Sequence, residues 1–566
     1  MPQIHHGLAA PTRRGSKPAP RRRTLRPFML SLVAACCASG AHAFEVDTGD
    51  SALKLRWDNT LKYSAAARLK NADARLLSNP NNDDGDRNFG KGLISNRVDL
   101  LSELDATLNR SYGLRISAAA FYDSVYNRHN DNPGFAAGAF PNTTGAANEF
   151  THQTRSVHGR KAEVLDAFIF GKAELSDSLS VSGRLGRHAI LWGESLFLGA
   201  NAIAGGQMPV DVVKLMSVPG TQFKEAIRPV PQVSGQLQLS SSVSLAAYYQ
   251  LRWERSVVPA VGSYFSNVDV AVDGAQQLLL GGPVAPRAGD LRPKDSGQGG
   301  VQLRWRVEDT DLGFYAIRFH NKTPQVVPTV GFLVPPPTPV VGPLSFQQVY
   351  HQGIQAYGFS ASHTLGDYNV AMEASTRRNQ DLASTQGADA SALGGPGLGG
   401  DNPGYAVGNT AHFNLSTLAT LPSWALWNEA SLLGEVVWNR VLSITKGATA
   451  VDPHATRDAW ALKVQLEPTY RQVLAGLDIG VPVGLGWAPR GSRSMALGPS
   501  AVPSDGNGEL NIGLNGSYLD AWRFSLSWTH YFGSVGTFQV LPSNAYSYQQ
   551  SLKDRDFLAL SLRRTF

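Results

Sequence analysis

Apolar and polar residues alternate with a period of two along most of this chain. Residues 53–69 are LKLRWDNTLKYSAAARL, in which Leu53, Leu55 and Trp57 share one parity and Lys54 and Arg56 share the other. In an extended strand the two parities face opposite sides of a sheet, whereas a helix would mix Lys and Leu on every face. The pattern therefore predicts β-structure.

The same alternation returns in about 16 to 18 runs between residues 50 and 566, most of them roughly 8 to 14 residues long. Globular strands have about 5–6 residues, whereas a tilted membrane strand needs about 9–11. Trp and Tyr recur near the ends of the apolar faces, as in the aromatic girdles of membrane barrels. We therefore predict an all-β transmembrane antiparallel up-and-down β-barrel of about 16 strands, within a range of 14–18. The alternative is a soluble β-helix or propeller.

The first 43 residues have the organisation of a secretory signal peptide. A basic cluster at 21–26 precedes an apolar stretch from Phe28 to Ala38 and a small-x-small site that ends at Ala43. We predict cleavage near Ala43, which leaves residues 44–566 as a single barrel domain. The alternatives are a disordered tail and a lipoprotein signal at Cys36.

The distribution of charge and cysteine along the chain excludes some classes of partner and site. The formal net charge is +6, but residues 1–43 hold seven of the 51 basic residues and no acidic ones. Residues 44–566 therefore contain 44 basic and 45 acidic residues and are nearly neutral. The basic excess therefore belongs to the leader and does not indicate a nucleic-acid partner. Both cysteines, Cys36 and Cys37, also lie in the leader, which excludes a disulfide scaffold or a cysteine metal site in residues 44–566.

The chain ends in DFLALSLRRTF, where Leu558, Leu560, Leu562 and Phe566 share one parity. A last amphipathic strand that ends in Phe resembles the signal recognised by the barrel assembly machinery of the outer membrane. We therefore expect the outer membrane as the location, after passage through the periplasm, with outer-membrane lipids and the assembly machinery as partners.

Residues 187–231 interrupt the alternation. Gly and Pro punctuate this stretch, and the part from Val210 to Met216 is compatible with a short helix. A connection of this length is functional or mobile, so we predict an irregular, partly helical segment that folds like a plug in or over the lumen; the alternative is a plain surface loop. Its candidate lumen residues are Arg187, Trp192, Glu194, Asn201, Asp211, Lys214, Lys224, Glu225 and Arg228.

Other motifs point away from catalysis and cofactors. The chain lacks G-x-S-x-G and H-E-x-x-H motifs, so we expect no enzyme activity and name no catalytic residues. The acidic cluster Asn82, Asp83, Asp84 and Asp86 has oxygens suited to Ca²⁺ but lacks calcium-loop spacing, which favours a solvated loop. We predict no cofactor and no metal.

Three long motifs resemble the domain-of-unknown-function 1302 family. They are FEVDTGDSALKLRWDNTLKYSAAARL, LGRHAILWGESLFLGANAI with the following MPVDVVKLMSVPGTQFKEAIRPVP, and DRDFLALSLRRTF. The resemblance covers essentially the whole mature chain. It implies an outer-membrane barrel of Gram-negative bacteria, a periplasmic partner and inner-membrane permeases, and a role in moving hydrophobic compounds such as lipids, steroids or hydrocarbons. It carries over no catalytic residues.

The function predicted from the sequence is therefore a porin-like transport channel or porter for small hydrophobic solutes, with selectivity in residues 187–231. A barrel needs no chemistry for this, only a constriction that binds weakly enough to release. The alternatives are a structural or adhesive surface barrel and, with less support, an outer-membrane hydrolase.

Overall fold

The run that begins the alternating pattern folds as a 16-residue strand, Leu53–Arg68. The computed structural model describes residues 44–46, 52–218, 220–399 and 401–566; the predicted signal peptide, residues 1–43, lies outside them, and its cleavage stays a prediction. Apolar side chains face outward: Leu415 is 44% exposed, whereas its neighbours Asn414 and Ser416 are 2% and 5% exposed. This inversion of the soluble pattern is that of a wall with lipid outside and polar groups inside.

The strands form one closed antiparallel barrel of 18 strands, which confirms the predicted fold class. We number them β1 to β18 in chain order, counting two short pieces separated by Val481 and Pro482 as one strand, β15. The bounds are β1 Leu53–Arg68, β2 Gly92–Leu108, β3 Tyr112–Asp123, β4 Arg160–Glu174, β5 Ser180–His188, β6 Val230–Gln238, β7 Val243–Gln250, β8 Gly299–Val307, β9 Thr310–Phe319, β10 Ile354–Leu365, β11 Tyr368–Asp381, β12 Val407–Leu421, β13 Glu429–Lys446, β14 Asp458–Leu474, β15 Leu477–Gly480 with Val483–Trp487, β16 Gly508–Tyr518, β17 Trp522–Phe532 and β18 Phe557–Thr565.

The last strand closes the barrel against the first. Leu562 of β18 is in register with Phe524 of β17 on one side and with Tyr63 of β1 on the other. Phe566 continues this pairing, because its N–H donates to the carbonyl of Asn59 at 2.8 Å. No open edge is left between these strands, as a sheet surrounded by lipid requires.

Short and long connections alternate along the barrel. β2 is joined to β3 by residues 109–111 and β4 to β5 by 175–179, whereas residues 124–159 and 251–298 form long connections at the opposite end. Short periplasmic turns and long extracellular loops are typical of outer-membrane barrels. Three hairpins lie within the long loops: Gln277–Leu279 with Val284–Pro286, Gln325–Val334 with Val340–Val349, and Gln539–Val540 with Ala545–Tyr546.

The remaining elements are a short strand and short helices. Phe44–Val46 pairs with the start of β1, Phe44 in register with Trp57. The α-helices are Asp84–Arg87, His152–Thr154, Ala204–Gln207, Val212–Ser217 and Phe223–Ala226, with a π-helix at Arg155–Gly159 and 3-10 helices at Leu76–Ser78, Phe135–Ala137, Gly199–Asn201, Ser391–Leu393 and Ala448–Ala450. Among the described residues, no helix has the length and apolar character to cross a membrane.

Two details of the prediction need correction. The central estimate of 16 strands is two too low, although 18 lies within the predicted range. The irregular segment is shorter than 187–231, because Arg187 and His188 end β5 and Val230 and Pro231 begin β6. The cause is sequence composition: β5 is SVSGRLGRH, which has only Val181 and Leu185 as large apolar residues and therefore little visible alternation.

The acidic cluster near residue 84 is also not a solvated loop. Asp83, Asp84 and Asp86 are 0%, 2% and 3% exposed. They lie under long loops that pack around an aromatic cluster, in which the ring of Phe89 is 5.6 Å from that of Tyr264. Aromatic burial therefore draws the first long loop inward.

Candidate functional site in the barrel lumen

Residues 189–229, which we call the lumen segment, are held by carboxylates on the inner wall. Glu435 of β13 is 2% exposed. Its Oε2 accepts the backbone N–H groups of Phe197 at 2.6 Å and Leu198 at 2.7 Å, and its Oε1 accepts the hydroxyl of Ser195 at 2.7 Å. Buried N–H groups outside regular structure need such acceptors, so Glu435 fixes this irregular turn to the wall.

Glu373 of β11 performs the same role two strands away. Its carboxylate accepts the N–H of Glu194 at 3.0 Å and the N–H of Ile203 at 2.5 Å. The side chain of Glu194 itself lies inside the barrel, where burial raises its pKa. Two acidic residues of the wall therefore bind the segment through its backbone rather than through its side chains.

Asn201 forms the centre of a third set of contacts. Its Nδ2 donates to Asn414 Oδ1 at 2.9 Å, and its Oδ1 accepts from Asn439 Nδ2 at 3.1 Å. Arg377 donates to the carbonyls of Ala200 and Ala202, each at 2.9 Å. With its side chain fully buried, Asn201 satisfies amide partners on β12 and β13 at once.

The lumen segment is therefore bonded to the wall formed by β11, β12 and β13, and its Trp192 and Ile203 also pack in a core cluster with residues of β7, β9 and β10. On its other side lies a cavity of about 1540 Å³, lined by residues of β1 to β4, β16 and β18, the lumen segment and the loop 251–298. The cavity extends from Tyr264 in that loop to Arg563, two residues before β18 ends at Thr565. The lumen thus has one occupied side and one open side.

Charged side chains dominate the polar part of the cavity lining. Twelve Lys and Arg residues and eight Asp and Glu residues line it. Some form pairs: Arg187 bonds both carboxylate oxygens of Glu254 at 2.5 and 3.0 Å, and Arg228 bonds Glu163 at 2.5 and 3.2 Å. The excess of four basic residues makes the cavity electropositive.

Two of the basic cavity residues, Lys62 and Arg563, lie near the periplasmic end, and Arg523 is next to them on the sheet. Lys62 of β1 is in register with Arg563 of β18, which is in register with Arg523 of β17. Like charges directly opposite each other on a sheet are destabilising. A row of three basic residues on neighbouring strands is therefore suited to contact a passing anion.

The structure divides the predicted site residues between two locations. Trp192, Glu194 and Asn201 lie on the wall side; Trp192 packs edge-on against Tyr248, with ring centroids 5.0 Å apart. The residues at the cavity are Arg187, Asp211, Lys214, Glu225 and Arg228. Lys224 is exposed and belongs to neither group.

Local structure explains the placement of the cavity group. Asp211 caps the helix Val212–Ser217, since its Oδ1 accepts the N–H of Lys214 at 2.9 Å. Lys214 Nζ then donates to the carbonyl of Glu225 at 2.7 Å. One helical turn therefore orients three of the predicted residues.

The sequence prediction missed most of the cavity wall. Lys62, Arg97 and Arg563 lie on the polar faces of predicted strands, and their inward parity was the available indication. Arg292 and Lys294 come from a long loop whose course over the lumen no local pattern indicates.

The chain is similar to several solved structures and to one protein family. No curated protein matches the chain. Among solved structures, OccAB1 of Acinetobacter baumannii is 10% identical with a TM-score of 0.41, covering 90% of this chain and 96% of that one. OccK2 (OpdF) of Pseudomonas aeruginosa in complex with glucuronate is 11% identical with a TM-score of 0.38, covering 90% and 98%. The outer membrane protein opdK of the same organism is 10% identical with a TM-score of 0.38, covering 90% and 98%.

The family model described as "Protein of unknown function (DUF1302)" matches residues 25–566. It spans all 18 strands and the lumen segment, and it confirms the resemblance drawn from the three sequence motifs. The chain belongs to the DUF1302 family.

Proposed function

We propose that this barrel is an outer-membrane channel that passes small solutes between the lumen segment and the opposite wall. The observation that carries the proposal is the cavity of about 1540 Å³, which extends from loop residues to Arg563 near the end of β18. Conduction requires contacts that are favourable enough for entry and weak enough for release. The Lys and Arg side chains that line the cavity supply contacts of that kind.

The residues that line the cavity indicate which class of solutes the channel would pass. Hydrophobic compounds are what the family resemblance implies, and aromatic side chains do line the cavity: Phe121, Trp253, Tyr264, Phe265 and Phe557. The same cavity has its excess of basic residues. We therefore propose solutes with a hydrophobic body and an anionic group, for which the aromatic and basic parts provide separate contacts.

Flux into liposomes that contain the purified barrel tests this. Benzenesulfonate and benzyltrimethylammonium have the same ring and opposite permanent charges, and arabinose is a neutral hydrophilic probe. We expect benzenesulfonate to enter fastest, by roughly 3- to 10-fold over the cation. Absence of flux for all three would remove the channel, whereas equal flux of the two aromatic ions would remove only the anion preference.

The position of the pathway can be tested separately. Residues 44–566 contain no cysteine, so a single introduced thiol can be labelled selectively. We expect a bulky methanethiosulfonate reagent on Lys214→Cys, at the cavity, to lower single-channel conductance by roughly half or more. Asp177→Cys, on the exposed turn between β4 and β5, is the matched control and should react without effect. Unchanged conductance of labelled Lys214→Cys would place the pathway elsewhere.

The proposed partners follow from the same function. A periplasmic partner and an inner-membrane permease would receive or supply the solute, and the barrel assembly machinery would insert the strands into outer-membrane lipid. These partners stay predictions.

A further inference from the structure

Three buried aspartates from distant parts of the chain meet in the extracellular loops. Asp83 and Asp84 belong to loop 69–91, and Asp269 belongs to loop 251–298; they are 0%, 2% and 0% exposed. One carboxylate oxygen from each lies within 4.8 Å of the others. Packing is close here, since a Cβ on Gly85 would lie 2.5 Å from the carbonyl of Ser266.

Each of these carboxylates uses one oxygen and leaves the other without a partner. Asp83 Oδ2 accepts from Arg87 Nε at 2.6 Å, Asp84 Oδ2 from the N–H of Asn142 at 3.1 Å, and Asp269 Oδ2 from the N–H of Asp84 at 3.0 Å. The three Oδ1 atoms are buried and have no hydrogen-bond partner within the described ranges. A buried acceptor left in this state costs about 1–3 kcal/mol, more when it is charged.

The charges around the cluster do not balance either. Arg87 pairs with Asp83, and within the described residues neither Asp84 nor Asp269 has an ion-pair partner; Arg555 pairs instead with Asp86. When all three carboxylates are ionised, as they would be around a cation, they and the one guanidinium leave two negative charges in a buried place. Burial and the neighbouring Asp83 accordingly raise the pKa of Asp84 to about 8.

We propose that Asp83, Asp84 and Asp269 bind one divalent cation, Ca²⁺, through their three unpartnered Oδ1 atoms. The double positive charge of the ion compensates the two excess negative charges of the cluster. The Oδ1 atom of Asn142 is a fourth buried oxygen without a partner, on a residue whose N–H already bonds Asp84. Carboxylate and amide oxygens in an irregular arrangement suit Ca²⁺, whereas Mg²⁺ demands near-octahedral geometry.

The ion would join three loops above the lumen, because Asn142 comes from loop 124–159. One of these loops, 251–298, also supplies Trp253, Arg255 and Arg292 to the cavity. The site thus holds the extracellular wall of the cavity in place. Extracellular calcium modules bind with Kd values of about 10⁻⁴–10⁻³ M, which fits a site exposed to the outside medium.

The test is the calcium dependence of unfolding of the whole purified barrel in detergent. After EDTA treatment, we expect millimolar CaCl₂ to raise the unfolding temperature by about 1–2 °C, and calorimetry to give one Ca²⁺ per chain. Equal millimolar MgCl₂ should raise it less. No response to CaCl₂ in either measurement would overturn the proposal, including the case in which the cluster holds protons instead.

Neutral variants separate a cation site from a purely structural cluster. Asp84→Asn and Asp269→Asn remove repulsion, so each should be at least as stable as the native barrel in EDTA but should lose the response to CaCl₂. Asp177→Asn, on an exposed turn at the opposite end, is the control and should keep it. Retention of the full response by both loop variants would overturn the proposal. Solute flux does not enter this test, so its outcome is independent of the channel function.

Discussion

The carboxylate of Glu435 accepts the backbone N–H of Leu198 at 2.7 Å, across 237 positions of sequence. Glu435 is at an inward position of β13 and Leu198 is in the lumen segment. This hydrogen bond and the others of Glu435 therefore attach the lumen segment to the barrel wall. The same carboxylate also holds Phe197 and Ser195. Removal of one side chain should therefore free a whole turn.

We expect Glu435→Ala to loosen the lumen segment. Its loss leaves two buried N–H groups and one hydroxyl without their acceptor, at about 1–3 kcal/mol each. Single-channel recordings should show larger and noisier currents. Glu429→Ala, at the exposed end of the same strand, should leave the currents unchanged. Quiet currents of native size from Glu435→Ala would contradict a fixed segment.

The basic row at β1, β17 and β18 should set charge preference. Lys62→Gln together with Arg563→Gln removes two of twelve basic cavity residues, so we expect the anion-to-cation flux ratio to fall by roughly 2- to 5-fold. The reversal potential in a salt gradient measures this. Arg440→Gln, which removes an exposed basic residue paired with Asp458, is the control. An unchanged reversal potential would show that the row does not contact permeating ions.

A buried ionic network should stabilise the extracellular loops. Asp86 Oδ1 accepts from Arg555 Nε at 2.8 Å and Arg68 Nη2 at 3.1 Å, and all three side chains are at most 2% exposed. Asp86→Asn leaves two buried guanidinium groups short of one anion, which we expect to cost about 3–5 kcal/mol. Urea unfolding followed by heat-modifiable gel migration measures this loss. Glu174→Gln, which is largely exposed, should cost nothing measurable.

Stability should also depend on Lys322 near neutral pH. Its ammonium is fully buried, which lowers its pKa to about 7, and Nζ donates to the carbonyls of Gly206 and His320. The unfolded chain has the ordinary pKa, so it binds a proton between pH 7 and about 10 that the folded barrel does not. This group's contribution to stability therefore rises with pH over that window and is smallest below pH 7.

Lys322→Met removes the titrating group and isolates that contribution. We expect the unfolding temperature of the variant, relative to the native barrel, to be higher at pH 6.5 than at pH 9.5. The absolute value includes the two lost hydrogen bonds, so only the change with pH is diagnostic. A pH-independent difference would show that Lys322 stays charged in the folded barrel over this range, as it does in the unfolded chain.

The sequence predicted what depends on local periodicity. Strand β1 follows directly from alternation over 53–69, and lipid outside the wall enforces that alternation at every outward position. The end of strand β5 was assigned to the irregular segment, because only Val181 and Leu185 among the residues of this strand are large and apolar. The lumen segment was found as a break in the pattern.

The site depends on contacts that no local pattern encodes. Asp269 meets Asp84 across 185 positions, and only the paths of two loops over the lumen bring them together. Likewise, Glu435 resembles any other inward charge on a strand. Its role arises from the segment that folds beside it.

The carboxylates that hold the lumen segment through its backbone, Glu373 and Glu435, lie on one side of the barrel. Residues of β11, β12 and β13 carry its anchors, while the opposite wall and the loops face the open cavity. The sequences of the anchoring strands and of the cavity wall can therefore diverge at different rates during evolution. Substitutions on the cavity wall can change which solutes a relative admits, whereas substitutions under the segment disturb its attachment. Among relatives, we expect the range of solutes to change together with the cavity residues of β1, β16 and β18.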